Sequence, residues 1–255
     1  MSGRLQDRVA FITGGGSGLG RAAALRFARE GALVSVVDVS EAGGQETARL
    51  IEAAGGRGWF LRADVTREAE VAAAVQATHQ RHGRVDVLVA CAGVPGPAGP
   101  ISQVNADDWD AVMAVNVKGV YLAAKHCIPH MQAQGGGRIV VIASDSSFVA
   151  APNMAAYCAS KGAVLMLVRA LAVDHGKDNI CVNCVCPSIV DTPMVRREVG
   201  ASPTDDLAQF GLDQVHRPED VVNHLLFLAS DEATNMNGAA LMVDFGGLAR
   251  STFPF

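Results

Sequence analysis

The feature that most narrows the folds open to this chain is the run TGGGSGLG at residues 13–20. It stands directly after the apolar segment RVAFI and directly before the Ala-rich segment RAAALRFAREG. Strand, glycine turn and helix follow without a spacer, which predicts a βαβ unit with the turn at the carboxyl end of the first strand. Gly14, Gly18 and Gly20 permit a tight turn, a close backbone approach to a pyrophosphate and close packing of helix on sheet. Ser17 and Leu19 complete the turn, and the helix N-terminus offers free N–H groups to phosphate. A second predicted strand, LVSVV, ends in Asp38, eighteen residues beyond Gly20. That carboxylate is placed to accept hydrogen bonds from an adenosine ribose and would repel a 2′-phosphate. No Arg or Lys lies inside the turn, so NAD is expected in preference to NADP.

The alternation continues with an amphipathic helix near 41–54, a strand GWFLRADV, a helix near 67–82 and a strand VDVLVA. Repeated βαβ units predict a doubly wound parallel sheet, Rossmann-type, with helices on both faces. At 255 residues, with 49% hydrophobic and 18% charged residues, the chain fits one such α/β domain over residues 1–255. Asp64 and Val65 close the third strand, where they either flank an adenine ring or serve as a turn. After the fourth strand, CAGVPGPAGP at 91–100 reads as a loop at the ligand edge, with Gly93 offering close backbone approach. A single long helix is expected from about Asp107 to Met131. It carries Asn116 on an apolar stretch, where a buried amide needs a partner, either a neighbouring backbone group or a proton relay.

Chemistry concentrates in residues 138–161. The apolar run RIVVIAS ends at Ser144, and MAAYCASKGAVLMLV carries Tyr157 and Lys161. Spaced i, i+4 on a predicted helix, the two side chains share a face. An ammonium beside a phenol favours the phenolate, so the Tyr157 pKa is expected to be lowered towards neutrality. The same Tyr-x-x-x-Lys pattern occurs at Tyr121 and Lys125, but no strand-end hydroxyl precedes that pair. Asp145, beside Ser144, reads equally as a contact to a polar substrate group or as a turn cap.

Other classes find little support. The net charge is −5 and no basic run occurs, so nucleic acid is not an expected partner. MSGRLQDRVAFITGGG enters a strand without a signal-peptide core, and no apolar stretch reaches about 18 residues, so a cytoplasmic protein that does not enter a membrane is expected. Cys181, Cys184 and Cys186 fall in ICVNCVCP, which reads as a buried strand with no His nearby rather than a metal site. His126 and His130 read as a solvated helix face.

Taken together, the TGGGSGLG turn, Asp38, the Asp64–Val65 and Ala92–Gly93 pairs, Asn116, Ser144, Tyr157 and Lys161 resemble the short-chain dehydrogenase/reductase family from about residue 5 to 248. The resemblance implies hydride transfer between nicotinamide and a small secondary alcohol or ketone. It implies Tyr157 as general acid/base, Ser144 holding the reacting oxygen, Lys161 on the nicotinamide ribose, and Asn116 anchoring a water that leads from Lys161 to solvent. It also implies that Pro187, Val190 and Thr192 bind the nicotinamide end and that residues 193–217 cover the substrate. Cys91 stands where the family often has Asn, so its cofactor contact would be through backbone. Ser188 and Phe245 stand where Gly is usual; Ser188 would narrow the nicotinamide approach or touch substrate, and Phe245 would meet another subunit or the pocket rim. Phe148, Met154 and Met194 read either as cleft lining or as core filler. A homotetramer is implied; independently of the resemblance, the apolar Phe253 and Phe255 read as docking on another subunit. Two other uses of the scaffold, an NAD-sensing or scaffold protein and a lyase or epimerase, would bind the cofactor without net nicotinamide reduction.

Overall fold

In a computed structural model, residues 3–250 are described. The strands are β1 (Val9–Thr13), β2 (Leu33–Asp38), β3 (Arg57–Arg62), β4 (Val87–Ala90), β5 (Gly137–Ile142), β6 (Ile180–Pro187) and β7 (Ala240–Val243). They form one parallel sheet in the order β3-β2-β1-β4-β5-β6-β7. The helices are α1 (Gly18–Arg29), α2 (Glu41–Ala53), α3 (Glu68–His82), α4 (Ala106–Met113), α5 (Gly119–Ala133), α6 (Ala155–His175), α7 (Pro193–Val199) and α8 (Pro218–Ala229).

Strands covered on both faces must be apolar on both, and β1, β4 and β6 are buried along their whole lengths. Two cores flank the sheet. Phe27 of α1, Ile51 of α2 and Leu225 of α8 pack with Ile12 and Val36 on one face; Val75 of α3, Leu122 and Met131 of α5 and Val168 of α6 pack with Phe11 and Ile139 on the other. From β1 the chain winds outward through β2 to β3 and then returns to β4 on the other side of β1. A crevice therefore opens at the carboxyl ends of β1 and β4.

Several expectations are refined. The segment expected as one long helix is α4 and α5 joined by a π-type turn, Ala114–Lys118, and Asn116 lies inside that turn. β3 ends at Arg62, so Asp64 and Val65 belong to the loop beyond it. Cys181, Cys184 and Cys186 lie buried on β6, as its pattern suggested, with the Cys184 and Cys186 sulfurs 3.8 Å apart. His126 and His130 are not a freely solvated face. His126 Nε2 lies 3.3 Å from Glu68, and His130 stacks on His79 of α3 with ring centres 4.2 Å apart. By length and composition α6 is apolar enough to cross a membrane, which the expectation of no such stretch overlooked. In the fold its Ala156, Ser160, Lys161, Val164 and Val168 are buried. Phe253 and Phe255 lie outside the described residues.

Candidate active site

The β1–α1 turn forms one wall of the crevice. Gly14 has φ +67°, and a Cβ there would stand 2.7 Å from the Ala92 nitrogen; a Cβ on Gly20 would overlap the Gly14 carbonyl. Turn, helix and the β4 loop therefore approach more closely than any side chain allows. Ser17 makes no side-chain cap, which leaves the first N–H groups of α1 free of a capping side chain. Asp38 is fixed beside the turn: one carboxylate oxygen accepts the Gly16 N–H at 2.8 Å and the other the Ser40 N–H at 2.8 Å. A turn built around backbone donors, with a carboxylate held at its edge, fits a dinucleotide whose adenosine ribose carries free hydroxyls.

At the opposite wall, Ser144 follows β5 by two residues and is buried. Its Oγ donates to Asp145 Oδ1 at 2.8 Å and accepts from the Ser146 N–H at 3.1 Å. A carboxylate accepts only, so in this arrangement the Ser144 proton is directed at Asp145. Tyr157 and Lys161 sit one turn apart on α6, with Lys161 Nζ 5.6 Å from the phenol ring centre. Lys161 is only 5% exposed, and its ammonium donates to the Ile142 carbonyl at 2.8 Å. Burial depresses its pKa to about 8. Asn116 is satisfied on both ends of its amide: Oδ1 accepts the Val94 N–H at 2.8 Å, and Nδ2 donates to the Val94 carbonyl at 2.9 Å and to Ser160 Oγ at 3.0 Å. It thereby pins the β4 loop to α6.

The expected lowering of the Tyr157 pKa is corrected. Burial raises the phenol to about 12; its Ser144 neighbour lowers it, and the charges of Asp145 and Glu198 raise it further. Lys161 does not offset this, because its ammonium is itself desolvated and lies 5.6 Å from the phenol ring centre. Desolvation outweighs the Coulomb attraction that spacing alone suggested. The comparison pair behaves as an ordinary surface pair: Lys125 binds Glu68 at 2.6 Å, and Tyr121 is exposed.

A cleft of about 200 Å³ joins the two walls and brings together Gly14, Ser17, Gly18, Leu19, Gly20, Cys91, Gly93, Ser144, Tyr157, Lys161, Pro187, Val190 and Thr192. Burial pushes the Cys91 thiol up to about 12, which keeps it a neutral lining group. Asp38, Asp64, Val65, Ala92 and Asn116 stand outside the lining. Asp64 instead accepts from the Thr66 N–H at 2.9 Å and hydroxyl at 2.8 Å, and Val65 is buried. Val94, Ile142 and Ala143 line the cleft without having been singled out by sequence; only their places just after β4 and at the end of β5 signal it, whereas Pro193, Val195 and Arg197 belong to the segment 193–217 expected over the substrate. Of the three large apolar candidates, Met194 lines the cleft, whereas Phe148 is exposed and Met154 bridges Gly99 through backbone. Ser188 lines both this cleft and a neighbouring cavity. Phe245 borders that cavity with φ +53°, a left-handed conformation that explains why Gly suits the position, and its ring stacks on His216 at 3.8 Å.

Residues 14–248 match the family model described as enoyl-(acyl carrier protein) reductase. The chain belongs to the short-chain dehydrogenase/reductase family. This short-chain dehydrogenase/reductase is 41% identical over 243 residues to a 2-(R)-hydroxypropyl-CoM dehydrogenase of Xanthobacter autotrophicus, covering 93% of this chain and 97% of that one. It superposes on levodione reductase with a TM-score of 0.91 at 33% identity, covering 97% of this chain and 100% of that chain. Carveol dehydrogenase from Mycobacterium avium, solved in complex with NAD, matches with a TM-score of 0.90 at 32% identity over 97% of this chain and 100% of that chain. The chain is an oxidoreductase of this family.

Proposed function

We propose that this short-chain dehydrogenase/reductase moves a hydride between NAD and a small secondary alcohol or the corresponding ketone. The observation that carries the reading is the meeting of Ser144, Tyr157 and Lys161 in one cleft with the glycine turn. The dehydrogenase names of its relatives, and NAD in the carveol dehydrogenase structure, support it.

Bound NAD supplies the hydride-accepting ring. Asp38 holds the adenosine ribose and disfavours a 2′-phosphate, the N-terminal N–H groups of α1 hold pyrophosphate, and Pro187, Val190 and Thr192 hold the nicotinamide end. Asp64, Val65 and the Cys91–Gly93 backbone border the nucleotide in this reading. Ser144 turns its hydroxyl from Asp145 to the substrate oxygen and donates to it, which leaves the alcohol's own proton directed at Tyr157. Tyr157 carries the proton between that oxygen and solvent. With its pKa raised to about 12, the phenol is protonated at neutral pH, the form that donates to a carbonyl; alcohol oxidation needs the phenolate and is driven by alkaline pH. Lys161 binds ribose hydroxyls, and Asn116 holds the loop and α6 in register for a water path behind Lys161.

The protein acts as a cytoplasmic homotetramer in this reading. Tyr121, Met166 and Val173 are large apolar residues left exposed on α5 and α6, which supports assembly through these helices. The experiment is nicotinamide absorbance with NAD and a panel of secondary alcohols at mildly alkaline pH, with Tyr157→Phe beside the wild type. Reduction in the wild type alone is expected; equal rates in both would overturn the assignment of Tyr157.

A further inference from the structure

The cleft is lined by two cations, Lys161 and Arg197, and by no carboxylate, a lining that favours an anion. Lys161 is fixed on the Ile142 carbonyl, whereas Arg197 of α7 is exposed and its side chain makes no hydrogen bond or ion pair among the described residues. Its neighbour Arg196 is fully engaged. Arg196 binds Asp191 through Nε at 2.6 Å and Nη2 at 2.7 Å, and its Nη1 donates to the Ser202 carbonyl at 2.6 Å and the Asp205 carbonyl at 3.1 Å. Those bonds fix α7 to the chain on either side of it. The first residue of α7, Pro193, lies against the glycine turn: a Cβ on Gly18 would stand 3.5 Å from Thr192 and 3.8 Å from Pro193. Arg197 is four residues further along α7, hence on the same helical face as Pro193, and helical side chains lean back over the preceding turn. The Arg197 side chain is therefore directed towards Gly18 and Leu19, where the first N–H groups of α1 are free of a capping side chain. Arg21, the cation nearest the turn in sequence, is spent: its Nε donates to Thr47 Oγ1 at 2.9 Å and its Nη2 to the Gly16 and Gly43 carbonyls.

We propose that Arg197 is a cofactor-binding residue that clamps the dinucleotide pyrophosphate from α7 while the N-terminus of α1 holds it from the opposite side. This rests on the NAD reading above and deepens it. The N-terminal N–H groups of α1 offer hydrogen bonds and a partial charge of about half an elementary unit, against the two full negative charges of a pyrophosphate. The balance calls for a cation, and Arg197 is the one the cleft presents on the side of the glycine turn. A guanidinium carries paired N–H donors that match two phosphoryl oxygens, which an ammonium does not. Because Arg197 belongs to the segment 193–217 expected over the substrate, the same contact ties that segment to the bound cofactor.

The test compares the Kd of wild type, Arg197→Gln and Arg197→Lys for NADH, ADP-ribose and adenosine, the last of which lacks the pyrophosphate, by NADH fluorescence and by competition against it. Arg197→Gln is expected to weaken NADH and ADP-ribose by about tenfold each and to leave adenosine unchanged, the effect of a charge-assisted hydrogen bond at an exposed position. Arg197→Lys should recover part of the loss, since it keeps the charge but not the fork. Thermal melts without nucleotide should coincide for all three proteins, because Arg197 has no partner to lose. NADH and ADP-ribose affinities unaltered in Arg197→Gln overturn the assignment and leave the NAD reading standing; a raised KM for carboxylate-bearing secondary alcohols in that variant would then give Arg197 to an acidic substrate. Equal weakening of adenosine and ADP-ribose also overturns it, because the loss would come from a displaced α7 rather than from the pyrophosphate. A wild type that binds neither NADH nor ADP-ribose overturns the NAD reading itself and this proposal with it.

Discussion

Lys161→Met removes the one buried ammonium at the centre of the site and should make the protein more stable at neutral pH while destroying its turnover. The Lys161 pKa falls from 10.5 to about 8 because burial strips its water. At about 1.4 kcal/mol per tenfold change, that fall amounts to about 3 kcal/mol. The sign follows from which state binds the proton more tightly. Below pH 8 both folded and unfolded chains hold it, and the full cost of the buried charge is present. Between pH 8 and 10.5 the folded chain releases the proton while the unfolded chain keeps it, so the wild type gains stability as pH rises and the cost is gone above 10.5. Methionine fills a similar volume without charge but leaves the Ile142 carbonyl without its 2.8 Å donor, a loss of about 1 kcal/mol. The net expectation is a gain of about 2 kcal/mol at pH 7, or roughly 4–8 °C in Tm for a chain of this size. It should cross to a loss of about 1 kcal/mol above pH 10.5, where neutral lysine keeps its hydrogen bond. Denaturant titrations of both proteins at pH 7 and at alkaline pH measure this directly. A variant less stable than the wild type at pH 7, or a difference that does not change with pH, would refute the reasoning.

Tyr157→Phe is expected to retain NADH affinity and lose at least about a hundredfold in turnover; stopped-flow binding and steady-state rates separate the two effects. In the wild type, alcohol oxidation should climb steadily from pH 7 towards pH 10 as the phenolate fraction grows below a pKa of about 12, and a flat profile over that range would count against Tyr157 as the base. NADH should bind at least about tenfold more tightly than NADPH, and Asp38→Ser should narrow that ratio; equal affinities in the wild type would remove Asp38 as the selector. Gly20→Ala drives a Cβ into the Gly14 carbonyl, so it should cost about 1–3 kcal/mol in stability and weaken NADH binding, as read by thermal melts with and without cofactor.

The parts of the site that sequence made legible are those set by local geometry. A strand, a glycine turn and a helix in direct succession leave one supersecondary unit, and an i, i+4 pair after a strand-end serine leaves one helix face. The parallel βαβ start of the sheet and the meeting of Ser144, Tyr157 and Lys161 follow from these. What sequence could not supply is burial. The same spacing that brings Lys161 near Tyr157 also buries both, and the sign of the phenol's pKa change follows the burial rather than the pairing. The π-type turn at Asn116 was hidden because an added residue in a helical turn leaves an apolar pattern looking helical. Phe245 read either as a subunit contact or as part of the pocket rim. Its stack on His216 depends on a segment 29 residues earlier in the chain. Asp145 could be singled out but not resolved, since whether a carboxylate oxygen is spent or free is decided by hydrogen bonds that only the folded loop contains.

The most direct test of hydride transfer is to supply NAD and a secondary alcohol deuterated at the carbinol carbon, using whichever alcohol the protein oxidises fastest. NADH carrying the deuterium, formed with a slowed rate relative to the protiated alcohol whenever chemistry limits turnover, is the expected result. Ketone formed without label in the nicotinamide, or label washed out to solvent, would contradict direct transfer between alcohol and cofactor in this cleft.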